Sequence, residues 1–121
     1  MSDVMPTLPP VLARHPGEDQ LTLVLEISAE LPQFQGHFPG LPILPGVAQL
    51  DWAARFGAAE FGLMLDSQRM EAVKFQALVQ AGTPLHLTLS YDDAKGRLAF
   101  TYSSAKGNHA SGRIVMAREA R

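Results

Sequence analysis

The stretch GHFPGLPILPGVAQLDWAA, Gly36 to Ala54, decides how this chain is interpreted. It places three prolines and three glycines around one histidine, His37, and then continues into an apolar segment with a single carboxylate, Asp51. The prolines recur every third residue, and each restricts its own backbone and that of the residue before it. The loop is therefore expected to be stiff, and a stiff loop holds a histidine side chain in a fixed place.

A helix is predicted to follow this loop, from Val47 to about Leu63. Pro45 is typical of a helix start. The backbone N–H groups of the first turn, at Gly46 and Val47, have no partner inside a helix and point outward. They can therefore hydrogen-bond a carbonyl oxygen that gains negative charge, and Gly46 has no side chain to block access.

Asp51 lies within the predicted helix, too late to cap it, at the edge of an apolar arc. Burial would favour the protonated carboxyl, which then becomes a proton donor. With His37 as a base and Gly46 as an amide donor, these groups suit proton abstraction next to a thioester carbonyl, followed by loss of a β-hydroxyl.

Simpler interpretations remain open for each of these features. A single loop histidine is usually a surface or capping residue. Asp51 and Arg55 are four residues apart, the spacing of an ordinary exposed helix ion pair. A loop rich in proline and glycine before a helix is usually only a connection.

The predicted helix is apolar on nearly all sides. Val47 and Leu50 lie on one face with Asp51 at its edge, and the opposite face still carries Trp52 and Phe56. A helix of this kind is normally buried on most sides. We therefore expect a sheet to wrap around it and a partner subunit to cover what the sheet leaves exposed.

The rest of the chain is dominated by strand-like alternation with turn signals between the runs. Residues 1–10, rich in proline, are predicted to be an extended arm, and residues 11–121 a single domain. The order is two strands, one helix and four strands, which favours an α+β domain with the helix packed on an antiparallel sheet. The predicted strands cover residues 11–15, 20–28, 71–79, 84–92, 97–104 and 110–118, with a turn at 16–19 between the first two.

Composition excludes several functional classes. The 121 residues are 46% hydrophobic and carry a net charge of −2, so nucleic acid is not an expected partner. The chain has no cysteine, which excludes disulfides, a thiolate nucleophile and a thiolate zinc site. No apolar run is long enough to span a membrane, and the first residues do not resemble a secretory signal. We expect a cytoplasmic protein.

The string GHFPGLPILPGVAQLDWA closely resembles the active-site segment of the β-hydroxyacyl-acyl-carrier-protein dehydratases of the hotdog fold. That family has the pattern G-H-F-P-x-x-P-x-x-P-G-V/C, with a Glu or Asp fourteen residues after the histidine. The resemblance implies that His37 is the catalytic histidine, Asp51 its acidic partner and Gly46 the glycine whose N–H contacts the thioester carbonyl. The segment LPGVAQLDWA is most similar to the corresponding segment of the dehydratase-like proteins of aryl polyene biosynthesis.

The resemblance also implies an architecture and partners. A long antiparallel sheet would curl around one central helix, and two subunits would form the functional unit. Each site would take its histidine from one subunit and its acid from the other. Pro45, Val47 and Arg55 would bind the acyl substrate together with Phe38, which would line a tunnel between the subunits. No metal or organic cofactor is expected, and His15, His86 and His109 have no metal-ligand spacing.

One departure from the family pattern and one choice that the pattern allows bear on function. The family usually has a Gln four residues after the acid, where this chain has Arg55, which could pair with Asp51 and favour its charged form. Asp51 in place of Glu is similar to the bifunctional dehydratase-isomerase branch.

The predicted activity is dehydration of 3-hydroxyacyl thioesters on an acyl carrier protein, by a homodimer or a heterodimer with a paralogue. The rivals are a hotdog thioesterase, a non-catalytic subunit that binds the acyl chain or the carrier, and a purely structural role. Acyl chain length, unsaturation and isomerase activity are not predicted.

Overall fold

Six β-strands and one α-helix make up the part of the chain that the computed structural model describes, residues 8–34 and 43–119, together with one turn of 3-10 helix at Pro32–Phe34. The elements are β1 (Val11–Gly17), β2 (Gln20–Leu25), α1 (Gly46–Phe61), β3 (Arg69–Phe75), β4 (Leu85–Asp92), β5 (Arg97–Ser104) and β6 (Gly107–Val115). Two strands, a helix and four strands follow each other as predicted, which confirms the α+β class.

The six strands form one antiparallel sheet in the order β1-β2-β4-β5-β6-β3. β3 follows the helix in sequence but joins the sheet beyond β6, so β1 and β3 are its two edges. Alternate residues of the central strands are fully buried, including Leu87 on β4 and Leu98 on β5. This period of two places an apolar layer on one face of the sheet, and α1 packs against that layer over β4 and β5.

Tertiary packing decides which side of α1 is buried. Trp52 and Ala53 are fully buried, and even the polar Gln49 is buried. Val47, by contrast, is 75% exposed. The single chain therefore covers the Trp52 side of the helix and leaves part of the other apolar side uncovered.

The helix begins one residue earlier and ends two residues earlier than predicted. It starts at Gly46, directly after Pro45, whose extended backbone acts as the N-cap without a side-chain hydrogen bond. It ends because Gly62 adopts a left-handed conformation, with φ of 67°, and its N–H donates to the Ala58 carbonyl oxygen. Glycine adopts this conformation without the steric cost of a Cβ atom, which makes it an effective C-terminal signal.

Several strands begin or end at other residues than local sequence signals predicted. β1 continues through Pro16, which was assigned to the turn, because an edge strand tolerates a residue without an N–H. β2 ends at Leu25, three residues before the predicted end at residue 28. β6 begins at Gly107, three residues before the predicted start, because only residues 105–106 form the turn from β5.

β3 shows the largest shift. It was predicted over residues 71–79 but covers Arg69–Phe75, and its pairing with β6 is irregular between Glu71 and Lys74. Ala72 adopts a positive φ of 53°, consistent with a bulge at this point. After Phe75 the chain leaves the ladder, and residues 76–79 are held by other contacts, described below.

Two regions singled out by sequence analysis lie wholly or partly outside the described residues. The structure describes the predicted N-terminal arm only from Leu8 onward, where the Pro10 carbonyl accepts a hydrogen bond from the Glu26 N–H. His37 and Phe38 belong to the loop at 35–42, which is not described. Among the described helices, none is long and apolar enough to cross a membrane.

Candidate active site

The start of α1 supplies the hydrogen-bond donors that the sequence predicts. The N–H groups of Ala48 and Gln49 both donate to the Pro45 carbonyl oxygen, at 3.1 and 3.2 Å. Within residues 8–34 and 43–119, the N–H groups of Gly46 and Val47 have no hydrogen-bond acceptor. These two donors stand at the positive end of the helix dipole, the arrangement that stabilises negative charge on an oxygen atom.

A close contact with Phe75 explains why position 46 carries glycine. A Cβ atom added at Gly46 would lie 2.8 Å from Cζ of Phe75 and 3.1 Å from its Cε1. The Phe75 ring, at the end of β3, therefore lies so close to the helix start that a side chain at position 46 would require the ring to shift. This contact brings the end of the edge strand against the first turn of α1.

An apolar pocket of about 520 Å³ opens beside this contact. On one side it is bounded by the helix start and the residues leading into it, and on the other by the segment after β3. Its lining residues are Ile43, Leu44, Pro45, Gly46, Val47, Gln49, Leu50, Phe75, Gln76, Ala77 and Leu78. We refer to residues 75–78 as the wall segment. The size and apolar lining suit a flexible hydrocarbon chain.

Asp51 is paired with Arg55 one helical turn later. The Arg55 Nε–H donates to both carboxylate oxygens, at 2.9 and 3.0 Å. The Asp51 side chain keeps 35% of its surface exposed, and that of Arg55 keeps 20%. The predicted burial of Asp51 is therefore not found in the single chain. The pairing with Arg55 that the sequence suggested is confirmed, and it engages both carboxylate oxygens of Asp51.

Tyr102, on β5, supports the turn of helix that carries Asp51. Its hydroxyl donates to the Gln49 carbonyl oxygen at 2.6 Å, and the ring is completely buried. Burial raises the pKa of Tyr102 well above its usual value, the negative charge of Asp51 raises it further, and a hydrogen bond from the backbone of Ala53 opposes both. Tyr102 therefore remains protonated, and its hydroxyl acts as the hydrogen-bond donor that fixes this turn of the helix.

The structure brings together only part of the predicted site. Pro45, Gly46 and Val47 line the pocket, whereas Asp51 and Arg55 are not among its described lining residues. Because His37 and Phe38 are not described, their distances to the other site residues stay predictions.

The roles of the wall segment and of Tyr102 were not predicted from the sequence. Phe75 and Leu78 were assigned to one continuous strand, although they form the pocket wall facing the helix. The alternation of Leu98, Phe100 and Tyr102 placed Tyr102 on the apolar face of β5, and that was the available signal for its position under the helix.

Comparison with known proteins identifies the family. Residues 13–113 match the family model ApeI-like, described as ApeI dehydratase. The chain belongs to this family. The resemblance on which sequence analysis relied is thereby confirmed, including the subgroup.

Curated relatives are 3-hydroxyacyl-(acyl-carrier-protein) dehydratases named FabZ. The chain is 33% identical over 96 residues to the protein of Latilactobacillus sakei, covering 73% of this chain and 67% of that protein. It is 29% identical over 86 residues to the protein of Rickettsia typhi, covering 64% of this chain and 59% of that one. The chain thus spans less than two thirds of the length of some of these relatives.

Solved structures agree with this assignment. The dehydratase heterocomplex ApeI:P from Xenorhabdus doucetiae matches with a TM-score of 0.82 and 33% identity, over 93% of this chain and 100% of that one. An uncharacterised protein from Erwinia carotovora subsp. atroseptica matches with a TM-score of 0.78 and 35% identity, over 93% and 98%. The dehydratase domain of the curacin polyketide synthase, at 19% identity, shares the fold. The predicted hotdog fold is confirmed.

Proposed function

We propose that this chain dehydrates 3-hydroxyacyl thioesters carried on an acyl carrier protein to trans-2-enoyl thioesters. The observation that carries the proposal is the arrangement of hydrogen-bond donors at the start of α1. Two N–H groups without a described acceptor, at Gly46 and Val47, stand at the mouth of an apolar pocket of about 520 Å³ in a chain of the ApeI-like dehydratase family. This combination matches a thioester carbonyl and its attached acyl chain.

In the proposed reaction the His37 imidazole removes a proton from C2 of the substrate. The electron pair delocalises onto the thioester oxygen, where the Gly46 N–H stabilises the developing negative charge. The pair then forms the C2–C3 double bond as the C3–O bond breaks. The departing hydroxyl takes the proton that His37 removed, and one water leaves.

Asp51, supplied by the partner subunit, orients the 3-hydroxyl in this proposal. Both of its carboxylate oxygens accept a hydrogen bond from Arg55, and a carboxylate can accept a further hydrogen bond from the substrate hydroxyl. Asp51 would therefore hold the hydroxyl, and later the water, while the protonated His37 supplies the proton. This assigns the acid step to the histidine.

The assembly we propose is a dimer, with a second copy or with a paralogue, that binds an acyl carrier protein. Val47, Phe75 and Leu78 are 75%, 52% and 64% exposed and lie together around the pocket. The neighbouring strand β3 is an edge of the sheet. A dimer across this edge would cover the apolar residues and complete the acyl tunnel. The location that goes with this reaction is the cytoplasm, and it stays a prediction.

Mass spectrometry of the intact carrier protein tests the proposal. A panel of 3-hydroxyacyl carriers of increasing chain length is incubated with the full chain and with His37→Ala. We expect loss of one water with the full chain and none with the variant, whose circular dichroism should be unchanged. An active His37→Ala variant would overturn the assignment of the base. Release of free thiol without water loss would instead identify a thioesterase.

A second candidate is a non-catalytic subunit of a heterodimeric dehydratase. It is favoured by the Asp51–Arg55 pair, which departs from the family's usual Gln, and by the match to a dehydratase heterocomplex. In the same assay it predicts that the carrier binds without water loss. Arg55→Gln would then separate two causes of inactivity, because recovered turnover would assign the block to Arg55.

A further inference from the structure

His109, on β6, is a buried histidine that the proposed reaction does not use. Its Nδ1 lies 3.1 Å from the Leu78 carbonyl oxygen and 3.4 Å from that of Ala77. Its Nε2 lies 2.7 Å from Oγ of Ser104. Only 5% of the residue is exposed, so the ring is committed to these contacts.

The chemistry of the neighbours assigns the two ring nitrogens. Carbonyl oxygens only accept hydrogen bonds, so Nδ1 carries the hydrogen and donates to Leu78. In a neutral imidazole Nε2 then accepts, and the Ser104 hydroxyl donates to it. The Ser104 oxygen in turn accepts from the Lys106 N–H at 3.1 Å, so the serine is itself held in place.

The backbone of His109 holds the same stretch of chain. The N–H groups of Gln76 and Ala77 donate to the His109 carbonyl oxygen, at 2.8 and 3.2 Å. Main chain and ring together therefore fix three successive residues, 76–78, at the point where β3 has left the sheet. These residues belong to the wall segment, which faces the start of α1 across the pocket.

The same contacts extend to the helix start. Val79 follows directly after Leu78, and its carbonyl oxygen accepts a hydrogen bond from the Leu44 N–H at 2.8 Å. Ile43 forms an antiparallel bridge with Gln80. Residues 43 and 44 lead into Pro45 and Gly46. The path from the His109 ring through 78–80 to the helix start thus connects both sides of the pocket.

We propose that His109, oriented by Ser104, is a positioning residue that sets the width of the acyl pocket and thereby its preference for chain length. This rests on the proposed function, because it takes the pocket to be the acyl site. Without the ring, Leu78 loses its hydrogen bond to the side chain and only the main-chain contacts remain, so the wall is held less firmly at its distance from the helix. A long acyl chain fills more of the pocket than a short one, so it makes more contacts with this wall and loses more of them when the wall moves.

Binding measured by calorimetry tests this without turnover. The ligands are the hexanoyl and dodecanoyl thioesters of pantetheine, which lack the 3-hydroxyl and cannot be dehydrated. In His109→Leu we expect the preference for dodecanoyl over hexanoyl to fall by about 10-fold, the effect of one or two lost methylene contacts. Hydrogen exchange should accelerate at the amides of Gln76, Ala77 and Leu44.

Three further variants separate positioning from general stability. His109→Asn keeps a donor for the Leu78 carbonyl and should restore much of the preference. Ser104→Ala removes only the hydroxyl that orients the ring, and should produce a smaller change in the same direction. Ser104→Ala also tests the inference if the His109→Leu variant does not fold. His86→Leu, at an exposed histidine of β4, is the matched control and should leave the preference unchanged.

The outcomes distinguish this inference from the proposed function. An unchanged ratio in both His109→Leu and Ser104→Ala, or a wild-type chain that binds neither thioester, overturns the inference. A wild-type chain that dehydrates no substrate, but whose length-dependent binding changes in His109→Leu, overturns the proposed function and supports the inference.

Discussion

At the scale of single residues, Asp51 and Arg55 form an ion pair within one turn of α1. The two side chains are joined by hydrogen bonds of 2.9 and 3.0 Å, and both are only partly exposed. Such a pair holds the Asp51 carboxylate in one orientation. The role that we propose for Asp51 is that of a hydrogen-bond acceptor for the departing hydroxyl or water.

This role predicts the order of two substitutions. Asp51→Asn keeps the shape but removes the charge, and we expect kcat/KM for dehydration to fall by about 100-fold or more. Arg55→Gln leaves the carboxylate in place and should change kcat/KM by less than about 10-fold. Steady-state kinetics on one 3-hydroxyacyl carrier compares the two. The reverse order would mean that Asp51 is not the acidic partner of His37.

At the scale of elements, the backbone of α1 packs directly against a side chain of the sheet at Gly57. A Cβ atom added at Gly57 would lie 2.4 Å from Cδ2 and 2.9 Å from Cδ1 of Leu98, a fully buried side chain of β5. Glycine at the centre of a helix costs about 1 kcal/mol relative to alanine. Its presence here is explained by this close approach.

Gly57→Ala is therefore expected to destabilise the protein despite its better helix propensity. Overpacking of a filled core costs about 1–3 kcal/mol, which exceeds the propensity gain of about 1 kcal/mol over most of its range. Urea unfolding measures the difference. In a double-mutant cycle with Leu98→Ala, which vacates the space, we expect a favourable coupling of at least about 0.5 kcal/mol. Strict additivity would contradict the contact.

The outer face of the sheet contains a charge cluster around Glu71 of β3. Its carboxylate accepts a hydrogen bond from Arg69 at 3.2 Å and pairs with Arg97 at 2.8 Å and Arg113 at 3.9 Å. The hydrogen bond from Arg69 and the charge of Arg97 hold the pKa of Glu71 below its ordinary value of 4.5, against a partial desolvation that raises it. Three arginines from three strands thus share one carboxylate.

A lowered pKa in the folded state has a defined effect on stability. The stabilisation by Glu71 is fully present above pH 4.5, the ordinary pKa of the group. It is lost as the pH falls through the lower pKa that Glu71 has in the folded protein. The difference in unfolding free energy between the wild type and Glu71→Gln should therefore be largest near about pH 7 and should shrink by about pH 3. Urea unfolding at both values measures it, and Glu18→Gln, in the exposed β1–β2 turn, is the control. A difference independent of pH would contradict the cluster's role.

At the scale of the whole molecule, one apolar surface of the single chain is left uncovered. Val47, Phe75 and Leu78 are exposed around a pocket that lies beside the edge strand β3. Large exposed apolar groups next to an edge strand are typical of an interface between subunits. A second subunit here would enclose the pocket, so assembly and substrate binding are expected to depend on each other.

Val47→Glu should therefore weaken assembly and activity together, because it places a charge in the proposed interface. Size-exclusion chromatography with light scattering should detect a shift toward the monomer, and kcat/KM should fall in parallel. Leu12→Glu is the matched control, since Leu12 is 54% exposed on β1 at the opposite edge of the sheet. An assembled and active Val47→Glu protein would place the interface elsewhere.

The amino-acid sequence by itself determined the order of the elements and the family. Alternating apolar residues in β2, β4 and β5 and the proline that precedes α1 are local signals, because they depend on backbone periods and on one residue's restricted φ. The loop motif with His37 and Asp51 predicted the dehydratase family through its resemblance to that family's active-site segment, which lies within one short stretch. None of these inferences needed contacts between distant parts of the chain.

Only the tertiary structure decided what depends on such contacts. Trp52 and not Val47 faces the sheet, β3 ends at Phe75 and not four residues later, and Asp51 stays partly exposed. A helix apolar on all sides has no preferred face until it packs. The residues after Phe75 leave the strand and are held by His109, more than thirty positions away from Leu78. Long-range hydrogen bonds and close packing, which no local pattern contains, therefore shaped the pocket.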